Sequence, residues 1–162
     1  MNPELKKLEK EELFKLLVEL ASLNKDNASF LQLKLQNKPE EAITHYKKKI
    51  KDALWQEKTN LREARKALID FKKISTNPEH LLELMVFYVE NGEKIDNEYG
   101  DMYEAFYSSM ETMFDQIIKT LNSNPNLIPK FKWRLDTIIE RSCEGWGHKD
   151  TLEDIYEELK HD

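Results

Sequence analysis

Apolar residues recur at three- and four-residue intervals along almost the whole chain, and strict alternation is rare and brief. That periodicity belongs to helices and predicts no sheet. Leu13, Leu16, Leu17, Leu20 and Leu23 share one face of a first helix that starts near Glu4 or Lys10. The polar string Asn24-Lys25-Asp26-Asn27 ends it, and Asp26 or Asn27 caps a short second helix with Phe30, Leu31, Leu33 and Leu35. Pro39 followed by Glu40 and Glu41 marks a third start, proline in the first turn and carboxylates near the positive end of the dipole. Its stripe is Ala42, Ile43, Tyr46, Ile50, Ala53 and Leu54. Asn60 with Glu63 forms the capping signature of a fourth helix, carrying Leu61, Ala64, Ala67, Leu68, Phe71 and Ile74.

Asn77-Pro78 opens a fifth helix, and Asn91-Gly92 has the form of its C-terminal stop. A sixth is expected from Asp96 to about Leu121, with Tyr99, Tyr103, Phe106, Met110, Met113 and Ile117 stepping by four and three. So broad a face points to a central helix with more than one neighbour. Asn122–Asn126 separates it from a seventh helix, ending near Cys143, with Phe131, Leu135, Ile138 and Ile139. After Gly145-Trp146-Gly147 a last helix, capped by Asp150 or Thr151, carries Leu152, Ile155, Tyr156 and Leu159. The connections are short, so successive helices are expected to pack antiparallel. The fold class is therefore all-α: about eight helices in antiparallel hairpins, helical-repeat-like in the manner of HEAT or TPR arrays, in one domain spanning 1–162.

Composition agrees with this. The 162 residues are 40% hydrophobic and 35% charged with only 4 Gly and 5 Pro, too few turn residues for many strands. A single cysteine, Cys143, makes no internal disulfide, no run of 18 apolar residues occurs, and Lys15 and Glu19 interrupt the N-terminal apolar stretch. These features exclude a signal peptide and a membrane span, and the expected location is cytoplasmic. The net charge of −6 is uneven: residues 1–74 hold 17 Lys/Arg against 12 Asp/Glu, whereas residues 75–128 hold 2 against 10. A basic first half and an acidic middle present two different faces.

Two segments, LREARKALIDFKKISTNPEHLLELMVFYVENG (61–92) and GWGHKDTLEDIYEEL (145–159), resemble an uncharacterised bacterial helical family, a domain of unknown function. EELFKLLVELA and EYGD are similar, more loosely, to the helical region of SWIM-type zinc-binding proteins. The resemblance implies a helical-repeat-like fold and brings no reaction. The Cys/His cluster of the SWIM-type proteins has no counterpart here, so zinc binding is not carried over.

Candidate chemistry is sparse. His45, His80, His148 and His161 are scattered, without paired Cys/His spacing or an H-E-x-x-H helix, so no metal, cofactor or catalytic residue is assigned. His148 and Asp150 in the turn after Trp146 are the one functional turn to watch. With Cys143 they define an enzymatic alternative at 143–150. Trp146 is expected to plug a helix junction, a burial worth on the order of 2–3 kcal/mol; alternatively it lines a groove with Trp133. Two charged surfaces are candidate interaction patches. The basic one comprises Lys47, Lys48, Lys51, Lys58, Arg62, Arg65 and Lys66, with Lys49, Lys72 and Lys73 nearby. The acidic one comprises Glu93, Glu98, Asp101 and Glu104, with Asp96 and Glu98 read as helix-capping carboxylates. The pattern favours a non-enzymatic helical module that binds a protein partner or itself. A nucleic-acid-associated factor using residues 47–73 is the alternative.

Overall fold

The computed structural model describes residues 3–36, 39–100 and 102–160; for Leu33, Lys34 and Gln36 it describes the backbone alone. Among these residues every regular element is helical. The α-helices are α1 (Lys10–Leu23), α2 (Lys25–Gln36), α3 (Pro39–Leu54), α4 (Leu61–Ile74), α5 (Pro78–Tyr99), α6 (Glu104–Asn122), α7 (Ile128–Arg141) and α8 (His148–Glu157). Short 3-10 turns occupy Pro3–Lys6, Pro125–Leu127 and Gly145–Gly147. The chain divides into two compact units, Met1–Ala42 and Ile43–Asp162.

In the first unit α1 and α2 pack against each other. Asn24 Oδ1, rather than Asp26 or Asn27, accepts the Asn27 amide at 2.9 Å and so caps α2. No residue of α1 is buried.

In the second unit α5 packs against α4, α6 and α7, while α8 lies on α6. The α7–α8 hairpin is thus laid alongside the α5–α6 hairpin, each helix against its counterpart. Phe106, Met110, Phe114, Ile117 and Leu121 of α6 are buried together with Leu82, Met85, Val86 and Val89 of α5. The apolar face of α6 is buried from Phe106 to Leu121, and the central position is shared between α5 and α6.

Several helix starts follow the capping chemistry read from the sequence. Asn60 Oδ1 accepts the Glu63 amide at 3.1 Å, and Asn77 Oδ1 accepts the Glu79 amide at 2.9 Å with Pro78 next. The expected end of the fifth helix needs correction. The helix runs through Asn91-Gly92 and stops at Gly100, whose φ of 65° supplies the left-handed step and whose amide bonds to Asp96 O at 2.7 Å. Gly92 is a site of close approach instead: a Cβ there would lie 2.2 Å from the sulfur of Met110 on α6. Consequently Tyr99 ends α5 and Tyr103 precedes α6. Both are exposed, outside the stripe to which the periodicity assigned them.

Candidate functional site

Carrying α5 past Gly92 moves two carboxylates from the surface to the interior. Glu93 and Asp96 are 3% and 2% exposed, continuing the stripe of Met85 and Val89 at helical spacing. The expectations that Glu93 belongs to a solvent-facing acidic patch and that Asp96 caps a helix are both overturned. Asp96 accepts a hydrogen bond from the Tyr107 hydroxyl at 2.7 Å. Burial, and next the bond donated to Asp96, push the Tyr107 phenol up to about 12.

His148 opens α8 and is 1% exposed. Its Nε2 lies 3.0 Å from Glu93 Oε1 and its Nδ1 2.9 Å from Glu111 Oε1, with the Tyr107 ring tilted against it at 4.9 Å between centroids. Two carboxylates on two ring nitrogens call for two N–H donors, which is the imidazolium. Burial works to lower the His148 pKa, but the bonds and charges of Glu93 and Glu111 outweigh it and hold the group above its ordinary value. Glu93 Oε2 and Asp96 Oδ2 are enclosed with no hydrogen-bond partner. The cluster ties α5, α6 and α8 together through charge. It also removes His148 as a base, because neither nitrogen keeps a lone pair for a substrate or thiol. Cys143 is half-buried, its Sγ 3.6 Å from Asn97 Oδ1. Among the described residues no group of three His, Cys, Asp or Glu side chains could hold a metal ion.

The turn before His148 explains the burial. Trp146 and Gly147 both adopt left-handed backbone, φ 57° and 68°, turning the indole outward and the following imidazole inward. Trp146 is 75% exposed, so it is not the junction plug expected from its position. Asp150 is exposed in the first turn of α8. The cap residue of α8 is Gly147, whose carbonyl accepts the Thr151 hydroxyl, in place of Asp150 or Thr151. Of the remaining acidic candidates, Glu98 and Glu104 are exposed, and Asp101 lies outside the described residues, as does His161. Trp133 lines a groove of about 740 Å³ between α5 and α7 with Trp55, Glu98 and Arg141, but Trp146, expected beside it, takes no part in that lining.

The basic set is partly neutralised. Lys47 pairs with Glu83 at 2.5 Å, Lys66 with Glu63 at 3.8 Å and Lys73 with Asp70 at 2.7 Å. Lys48, Lys51 and Lys58 are exposed along α3 and the turn after it, while Tyr46 and Phe71 are buried as the periodicity requires. Arg65 reaches α6, donating from Nε to Ser109 Oγ (3.1 Å) and from Nη2 to Ser109 O (3.2 Å). With Arg62 and Lys66 it lines a second groove, between α4 and α6. An ion-paired arginine that the charge pattern did not single out, Arg134 of α7, bonds Glu90 twice and Glu83 once on α5 at 2.7–2.8 Å.

The model of a family of unknown function, DUF6155, matches residues 1–160. The chain belongs to this family. Membership agrees with the resemblance carried by residues 61–92 and 145–159. No curated protein and no solved structure matches the chain. Among the described residues no helix is long and apolar enough to cross a membrane.

Proposed function

We propose that this member of the family is a non-enzymatic helical interaction module that associates with a second copy of itself through the α1–α2 hairpin. One observation carries the reading. The apolar side chains of α1 are exposed, with Phe14 at 68%, Leu23 at 75%, and Leu17, Val18 and Leu20 beside them. The broad apolar face of α6 offers no such surface, because Phe106, Met110, Phe114, Ile117 and Leu121 are buried within the chain.

A unit of about 40 residues sits near the limit at which a chain folds on its own burial, and oligomerisation is the usual remedy. Two helical hairpins meeting across a twofold axis give a four-helix bundle, in which each apolar stripe covers the other. Charge does not oppose the pairing: residues 1–42 hold 7 Lys and 8 Asp/Glu, so two copies repel little.

Light scattering on the full chain across a concentration series tests this. The expected result is a dimer that Leu17→Glu weakens. Losing one apolar contact per copy, on the order of 1 kcal/mol each, raises the dissociation constant about 30-fold. A monomer at every concentration, or a dimer indifferent to Leu17→Glu and Phe14→Glu, counts against the proposal. The nucleic-acid alternative has less support, since Lys47 and Lys73 are answered by carboxylates within the chain.

A further inference from the structure

We infer that the groove between α4 and α6 is a binding site for a phosphate monoester, with Arg65 and Arg62 holding the phosphate and Leu61, Ile69 and Ala105 facing the organic body. The groove encloses about 870 Å³.

Arg65 is the central observation. It is half-buried, and among the described residues no carboxylate pairs with it. A guanidinium withdrawn from water without a counter-charge is costly and favours an anion beside it. Its direction is fixed: two of its five N–H donors are bound to Ser109, whose hydroxyl is held in turn by Tyr88 OH at 2.6 Å. The edge between Nη1 and Nη2 stays open and is of the kind that matches phosphate oxygens.

The surrounding groups suit the same ligand. Arg62, exposed on the preceding turn of α4, has no ion pair or side-chain hydrogen bond among the described residues. Lys66 lies one residue beyond Arg65, its ammonium only loosely held by Glu63 at 3.8 Å. The exposed Ser108 hydroxyl is a further donor on the α6 wall. Thr112 spends its proton on Ser108 O and contributes no donor. Three cations and a hydroxyl exceed what a monoanionic carboxylate can use, whereas a phosphate dianion has three acceptor oxygens for them. Ile69 is 57% exposed, and with Leu61 and Ala105 it gives the groove an apolar side that inorganic phosphate would leave uncovered. Glu104, in the first turn of α6, is the one carboxylate in the lining. Its charge opposes an anion, which supplies a control of opposite sign.

The test is calorimetric titration of the full chain with phenyl phosphate and with inorganic phosphate, ionic strength held constant with sodium chloride. Phenyl phosphate is expected to bind more tightly than inorganic phosphate. Arg62→Gln, which removes no internal bond, should weaken phenyl phosphate about tenfold, and Glu104→Gln should tighten it. Arg65→Gln should abolish binding while the circular dichroism spectrum keeps its helical signature. Absence of heat from both ligands overturns the site, as does binding that Arg62→Gln and Glu104→Gln leave unchanged. Equal affinity for the two ligands overturns the assignment of an ester. Should Arg65→Gln fail to fold, the two surface variants decide the matter alone.

Discussion

Replacing His148 with alanine removes the only cation from a cluster that holds two nearly inaccessible carboxylates. The His148 side chain is 1% exposed and that of Glu93 4%, against 23% for Glu111. Glu111 can turn to water after the substitution, but Glu93 cannot, so the cost is that of a buried ion pair with one member deleted, about 3–5 kcal/mol. For a chain of this length that corresponds to a fall of about 10 °C in Tm, read by thermal or urea unfolding. Replacing both partners, His148→Leu with Glu93→Leu, should recover part of the loss, because the buried Glu93 charge leaves together with its partner. The same clamp predicts a pH dependence. The folded-state pKa of His148 is raised above its unfolded value of 6.5. Its contribution is therefore complete below 6.5 and is lost as pH climbs through the folded-state value. The gap in unfolding free energy between the parent chain and His148→Ala should accordingly narrow on the alkaline side. A cost below about 1 kcal/mol, or a gap that stays constant from mildly acidic to alkaline pH, would refute the reasoning.

Gly92→Ala should lower stability by about 1 kcal/mol although alanine is the better helix former, because the new methyl strikes the fully buried Met110. Pairing it with Met110→Ala should show a coupling energy in a double-mutant cycle of denaturation. Arg134→Met should cost about 2 kcal/mol by urea unfolding, since the side chain is 11% exposed and carries three bonds to Glu83 and Glu90. Trp146→Gly should change Tm little. The exposed indole has no burial to lose, and glycine accepts φ 57° without the Cβ conflict; a loss of 2–3 kcal/mol would restore the buried-plug reading.

Much of the fold was legible because capping and periodicity are local. Asn60, Asn77 and Pro39 stand at the starts they announced, and Tyr46, Phe71, Phe114 and Leu135 are buried where the stripes placed them. The failures cluster around one glycine. Read as a stop, Gly92 put Glu93 in a loop and Asp96 at the cap of the next helix, and the acidic segment became a surface. Read as a contact, it lets the stripe Leu82, Met85, Val89 continue onto Glu93 and Asp96, and Glu111 falls between Tyr107 and Phe114 on α6. That spacing was the available signal for a buried charge cluster. What it could not supply was His148, because the inward turn depends on left-handed backbone at Trp146, a conformation that a tryptophan rarely adopts and its sequence does not signal. The bare flank of α1 was hidden for a different reason: a stripe tells that a face is apolar, never whether anything lies upon it.

The thioether of Met110 occupies the space that any side chain at position 92 would need. Its sulfur is therefore wedged where a sulfoxide oxygen has nowhere to go, and peroxide can reach it only in molecules whose α5–α6 seam has momentarily parted. Oxidation of this methionine is then a clock for that parting. Its rate, followed residue by residue in the mass spectrum, measures how often the middle of the helical stack breathes.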